Sequence, residues 1–295
     1  MAENTKEMNQ STLGLLWRGF AMGIAEVIPG VSGGTIAFIT GIYERLINVI
    51  SGISPSLFSI LFKDGIKAFW LALDGSFLVK LLVGMIGGIG LGVFGVTYLL
   101  ENAPTILWAF FFGLIAASVI YIMRQTNRRA VLTWVLFFVS ACLAYWVVST
   151  NPMTGSTDYY YVFLSGAIAI CALILPGISG SFILLLLGMY TVIVPLVKSL
   201  LTDFSFASFK IVLVFALGCL TGLLAFSKIL KYAFTHYKNS TLSILSGIML
   251  GSLIKIWPWR NPTKVIDKAT GDLIPISKYK EDICLLYTSP SPRDS

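Results

Sequence analysis

AEVIPGVSGGTIAFITGIYERL occupies residues 25–46, and ALILPGISGSFILLLLGMY occupies residues 172–190. In both stretches an apolar run meets Pro-Gly, then a Ser-Gly pair, then a second apolar run. Proline removes a backbone donor and clashes with the turn before it, and glycine tolerates a tight reversal, so Pro29-Gly30 and Pro176-Gly177 end one helix each. Ser32 and Ser179 are placed to cap the next helix. A serine cap uses one orphan N–H group, and the remaining donors leave that helix end electropositive and attractive to anions.

Outward from these two breaks the chain is strongly apolar. Of 295 residues 56% are hydrophobic and only 12% charged, too few polar residues to cover a soluble domain of this length. Uncharged runs at 81–100, 105–123, 131–149 and 211–227 approach the roughly 20 residues that span a bilayer. The composition therefore predicts an all-α polytopic membrane protein. The formal charge of +7 is spread over short loops between apolar runs, which excludes a nucleic-acid-binding face and suits membrane orientation. No cleavage site follows the first apolar run, so no signal peptide is expected.

Cys142, Cys171 and Cys219 lie singly in apolar runs and show no disulfide or metal spacing. His236 is the single histidine, which excludes a histidine-rich metal site, and no cofactor is expected.

The polar residues 1–11 form a tail. Residues 13–28 and 35–50 are expected as two helical arms of a broken element, each about 24 Å long and short of a full span. A re-entrant hairpin results, its tip buried in protein or facing a water-filled cavity. Residues 51–76, with Lys63, Asp64, Lys67 and Asp74 among aromatic and aliphatic residues, read as an interfacial amphipathic connector. Run 81–100 carries Gly84, Gly87, Gly88, Gly90, Gly92 and Gly95, which allow close helix approach. Run 105–123 ends at RQTNRR, the densest basic loop, which the positive-inside rule makes cytoplasmic.

The second half repeats the first. Pro176 follows Pro29 by 147 positions, and the same shift pairs Gly19 with Gly166, Ser32 with Ser179, Gly41 with Gly188 and Tyr43 with Tyr190. Beyond the connector a shift of 134 pairs Gly84 with Gly218, Gly88 with Gly222 and Gly113 with Gly247. Such self-similarity predicts two repeats, residues 12–129 and 158–257, joined by a helix and loop at 130–157. Three crossings between the hairpins make the repeats inverted, an architecture whose binding site lies between the two breaks. A polar tail covers 258–295. CLLYTSPSPRDS at the end resembles translated adapter sequence, so a lost final helix is expected and residues after Ile283 are set aside.

Glu26 stands three positions before the first break, and an intramembrane carboxylate points to function, here proton coupling; its repeat partner is Leu173. Pairing of Glu26 with Arg18 or Arg45 is the structural alternative. Arg18 and Arg45 flank the same hairpin, and guanidinium groups grip phosphate bidentately. Neither PGVSGGT nor PGISGS is a nucleotide-binding loop, because no lysine follows the glycines and no strand precedes them.

Together these residues resemble the family filed as domain of unknown function 368, the PopT-type undecaprenyl-phosphate translocases. The likeness rests on AEVIPGVSGGTIAFITGIYERL, LPGISGSFILLLLGMY and GIMLGSLIKIWPW at 247–259. It implies return of a polyprenyl-phosphate carrier across a bacterial or archaeal cell membrane for envelope polymer synthesis. By position it places Glu26, Pro29, Gly30, Ser32, Gly33, Gly34 and Thr35 in one functional loop, and Pro176, Gly177, Ser179, Gly180 and Ser181 in the other. The partners implied are the polyprenyl-phosphate substrate and membrane lipids, with no nucleic acid and the oligomeric state open. A transporter or channel for a small soluble anion is the alternative. An intramembrane phosphatase lacks a paired-acid or histidine-rich site.

Overall fold

Proline and glycine set where the helices stop in the computed structural model, which describes residues 11–28, 31–202, 205–258, 264–266 and 273–275. Helix α1 (Thr12–Val27) starts at Ser11, whose hydroxyl accepts from Gly14 N–H at 3.1 Å, and ends just before the first Pro-Gly. Pro29 and Gly30 themselves lie outside the described residues. Beyond them α2 (Gly33–Ile39) begins with Ser32 as its extended N-cap. In the second copy α9 (Tyr159–Ile174) ends before Pro176, and α10 (Gly180–Leu186) follows Ser179.

The second arm of each hairpin is not one helix of about 16 residues. It stops after seven residues at a glycine and restarts as α3 (Tyr43–Gly52) or α11 (Tyr190–Thr202). Gly41 has φ +73° and Gly188 φ +68°, a left-handed conformation that only glycine adopts at little cost. At both sites the following amide reaches back five residues, Ile42 to Ala37 at 3.0 Å and Met189 to Leu184 at 2.9 Å. This is the Schellman closure of a helix end. In the second copy it turns the chain by 111°.

The connector folds as α4 (Pro55–Lys63) and α5 (Gly65–Ala72), with Phe62, Ile66 and Leu71 exposed. Next come α6 (Gly75–Asn102), α7 (Pro104–Met123) and α8 (Val131–Ser149), and after the second hairpin α12 (Phe206–His236) and α13 (Lys238–Ser252). A 3₁₀ turn, Leu253–Ile256, extends α13, and Lys264–Ile266 pairs antiparallel with Leu273–Pro275. Among the described residues five helical segments are long and apolar enough to cross a membrane, namely Gly75–Leu100, Pro104–Met123, Val131–Ser149, Phe206–His236 and Lys238–Ile256. Side chains such as Phe94, Ile86, Phe138 and Trp146 face outward, as a lipid solvent allows. The remaining tail residues, including those after Ile283, lie outside the described set.

Backbone contacts reproduce the repeat. Gly84 of α6 lies against the Leu16 carbonyl of α1, and Gly218 of α12 against Phe163 of α9, the position 147 residues after Leu16. Gly88 meets Phe20 and Gly222 meets Ala167, again equivalent pairs. Gly19 meets Leu81, and Gly166 meets Phe215. A side chain at any of these glycines would collide with a carbonyl, so the two broken helices are held against their long partners by the same device. Gly90 and Gly95 face open space, so those two do not serve packing. Repetition fails at α7, where Gly113 meets nothing within 4 Å although its equivalent, Gly247, is packed against Phe137 and Ser140 of α8. Because α6, α7 and α8 stand between the hairpins, an odd number of crossings makes them enter from opposite faces.

Candidate functional site at the paired breaks

The two interruptions meet. Ser32 Oγ donates to the Leu173 carbonyl at 3.1 Å, and Tyr43 OH donates to the Ile174 carbonyl at 3.1 Å. These are terminal carbonyls of α9 with no partner further along their own helix. In the other direction Gly177 N–H donates to Thr35 Oγ1 at 2.9 Å, with Gly177 held at φ +92°. Ser32 and Thr35 are fully buried. Buried polar groups at a break demand partners, and here each repeat supplies those of the other.

The loops are not chemically equivalent. At the first, Glu26 Oε1 accepts from Gly33 N–H at 2.7 Å, Ser32 Oγ accepts from Gly34 N–H at 3.1 Å, and Thr35 N–H bonds the Ser32 carbonyl at 2.9 Å. A carboxylate of the protein therefore already sits on one of the donors, Gly33 N–H, that the sequence reading left open for an external anion. At the second, Leu173 replaces that carboxylate, and its side chain packs where Gly180 passes. Ser179 Oγ bonds Ser181 Oγ at 2.8 Å instead of capping, and the Gly180 and Ser181 N–H groups have no acceptor among the described residues. Pro176, Gly177, Ser179 and Gly180 are buried, while Ser181 is exposed.

Neither arginine reaches the breaks. Arg45 holds Asp74 as a fork, Nε to Oδ2 at 2.8 Å and Nη2 to Oδ1 at 3.1 Å, with its guanidinium 4.4 Å above Phe77. That pair ties α3 to the start of α6. Arg18 is half-buried on α1 and makes no ion pair among the described residues. Glu26 is accordingly held by a backbone amide and pairs with neither Arg18 nor Arg45.

Two spaces adjoin the site. A polar cavity of about 230 Å³, lined by Thr40, Tyr43, Glu44, Tyr121, Gln125 and Lys238, leads from the α7 end toward Tyr43; Lys238 bridges Glu44 across it at 2.9 Å. An almost wholly apolar crevice of about 400 Å³ opens between α1, α6 and α7, lined by Ile24, Ile28, Gly92, Val96, Leu107 and Phe111. Gly95 faces this crevice, which explains a glycine with no packing partner.

Sequence reasoning passed over two residues here. Tyr43 was paired with Tyr190 in the repeat but given no role, and the signal was a tyrosine in an apolar hairpin whose hydroxyl needs a partner. Lys255 lies at the end of an apolar span, with its Nζ 3.9 Å from the centre of the Phe182 ring at the start of α10. The rule that singled out Glu26 would have found it too.

Fold and site define a polytopic membrane protein built as an inverted repeat around two facing broken helices, the plan of a transporter. The chain belongs to the VCA0040-like, undecaprenyl phosphate translocase-like family, whose model matches residues 22–274. It is similar to a polyprenyl-phosphate transporter of Vibrio cholerae, 42% identical over 259 residues, which are 88% of this chain and 82% of that protein. It is also similar to a polyprenyl-phosphate transporter of Staphylococcus aureus, 35% identical over 261 residues, 84% of this chain and 87% of that one. No solved structure matches the chain.

Proposed function

We propose that this protein transports polyprenyl phosphate across the cell membrane of a bacterium or archaeon, passing the headgroup between the paired breaks while the isoprenoid chain stays in lipid. The observation that carries the reading is the mutual bonding of the breaks, Ser32 to Leu173 and Thr35 to Gly177. Moving a bare phosphate through hydrocarbon costs tens of kcal/mol by Born estimates, so polar backbone must replace its water. Family membership and the two similar transporters support the lipid phosphate as cargo.

The geometry supports the following assignments. Ser179, Gly180 and Ser181 offer hydroxyls and open amides; Pro176 and Gly177 set the turn that presents them. Ser32, Gly33, Gly34 and Thr35 form the opposing loop, to which Pro29 and Gly30 are assigned on sequence alone, and there Glu26 occupies the donor that a phosphate would need. Protonating Glu26 removes the charge that repels a phosphate and weakens its bond to Gly33 N–H, which links proton uptake to headgroup binding. Repeats 12–129 and 158–257 then move against each other about residues 130–157. Arg18 is assigned to headgroup approach, and Arg45 to the α3–α6 latch. Binding and displacement suffice, and no bond of the substrate is broken.

The apolar crevice beside Ile28 favours a lipid over a small soluble anion, because it gives an isoprenoid segment a place next to the break. The test is reconstitution in liposomes with a polyprenyl phosphate in one leaflet. Accelerated leaflet exchange by the wild-type protein is expected, and absence of any acceleration sinks the reading. Glu26→Gln and Ser32→Ala should both slow exchange; unchanged rates would remove those residues from the mechanism.

A further inference from the structure

We infer that the polar cavity on the face of the RQTNRR loop is a second station for the phosphate monoester, reached from the paired breaks past Tyr43 and Ser246. The inference rests on the transport reading above, which leaves the place of the headgroup beyond the breaks unnamed. At about 230 Å³ the cavity is several times the roughly 30 Å³ share of one water, so a phosphate fits with part of its hydration. The Tyr121 phenol and the Gln125 amide line it, and neither side chain makes a hydrogen bond among the described residues. Across it Lys238 holds Glu44 at 2.9 Å, and both are partly exposed, so the pair is weak enough for a phosphate to replace the carboxylate.

Two buried groups connect this space to the breaks. The Tyr43 ring lines the cavity, edge-on to Phe38 and Phe234, while its hydroxyl donates to the Ile174 carbonyl at the end of α9. On α13, Leu242 lines the cavity and Met249 meets Gly177 at the second break. Ser246 stands between them, four positions from one and three from the other, hence on the same side of the helix. It is fully buried, and its hydroxyl has no hydrogen-bond partner among the described residues. An orphaned buried hydroxyl is costly, and this one lies where a passing phosphate oxygen finds a donor. Protein carboxylates mark both ends of the route, Glu26 on the Gly33 amide and Glu44 on Lys238, each holding a donor that the phosphate takes in turn.

The experiment measures exchange of a polyprenyl phosphate by the full chain in liposomes and its binding in detergent. Gln125 is exposed, so Gln125→Glu and Gln125→Lys change the charge of the cavity without disturbing packing. Half-saturation should rise about fivefold or more in the first and fall in the second, as a unit charge a few ångströms from a phosphate requires. Asn127→Glu puts the same charge outside the cavity lining and should stay near wild type. Equal shifts at 125 and 127 would assign the effect to the general field of that face and overturn the inference, as would wild-type values in both Gln125 variants. Ser246→Ala removes the orphaned hydroxyl, so the unfolding midpoint should hold or rise while the maximal exchange rate falls. A variant that is as stable or more so and exchanges at the wild-type rate refutes the route past Ser246. Inorganic phosphate that competes with the lipid, and less well in Gln125→Glu, shows that the cavity accepts the phosphate group from either source. No such competition, with the shifts for the lipid intact, assigns it to the lipid headgroup. Refutation by the Gln125 or Ser246 variants leaves the transport reading standing; failure of the wild type to bind any polyprenyl phosphate removes both.

Discussion

Thr35 Oγ1 accepts the Gly177 amide hydrogen at 2.9 Å, joining two loops 142 positions apart at the centre of the molecule. Both groups are buried, so the bond has no water to replace it. Thr35→Val keeps the shape and orphans the Gly177 donor, at a cost of about 1–3 kcal/mol. The midpoint of thermal unfolding in detergent should drop by several degrees, and Thr35→Ser should recover most of it. Equal midpoints for Val and Thr would show that the loops do not depend on each other.

The helix pairs α1–α6 and α9–α12 should respond alike to the same insult. Gly88→Leu and Gly222→Leu each drive a side chain into a carbonyl of the facing helix, Phe20 or Ala167. Overpacking of this kind costs about 1–3 kcal/mol and here meets unyielding backbone, so folded yield should collapse in both. Gly90→Ala points into open space and removes a helix-destabilising glycine, so it should be neutral or slightly stabilising. Size-exclusion profiles of the three variants settle the comparison.

Much of this was legible in the chain because backbone chemistry is local. The two breaks follow from Pro-Gly, and of the glycine pairs that the offsets 147 and 134 name, 19 with 166, 84 with 218 and 88 with 222 make equivalent contacts while 113 with 247 does not. Gly41 and Gly188 were visible as a repeated pair, but a glycine inside an apolar run is compatible with continuing helix, so the second turn of each hairpin was not. Nor does sequence reveal that Glu26 reaches forward seven residues to Gly33, since that requires the chain to fold back after the break. The Arg45 to Asp74 fork is hidden for the same reason: the connector between them has no periodicity that fixes where its ends meet.

That fork gives a prediction which separates a latch from a binding role. Both side chains are partly exposed, so their coupling in a double-mutant cycle should be modest, about 1 kcal/mol. Asp74 also holds φ +50°, where asparagine is tolerated and larger residues are strained. Asp74→Asn should therefore lose only the charge component, and Asp74→Leu the backbone component too. If Arg45→Ala stops lipid exchange while the unfolding midpoint stays put, Arg45 acts on the headgroup and the latch assignment falls.

Glu26 offers the sharpest functional comparison, because its carboxylate occupies a donor that the cargo is proposed to use. Gln keeps a carbonyl oxygen for Gly33 N–H and cannot ionise, so Glu26→Gln should fold normally with a stability change under about 1 kcal/mol. In the wild type, lowering the pH until Glu26 is protonated removes the negative charge beside Gly33 N–H and tightens headgroup binding; raising it restores the charge-assisted internal bond and weakens binding. The variant should show the same affinity across that range. Glu26→Leu copies the Leu173 of the other repeat and leaves Gly33 N–H without its acceptor, so it should bind phosphate independently of pH and unfold more easily. Affinity titrations of all three proteins with a polyprenyl phosphate at several pH values test this, and a pH slope that survives in Glu26→Gln would place the titrating group elsewhere.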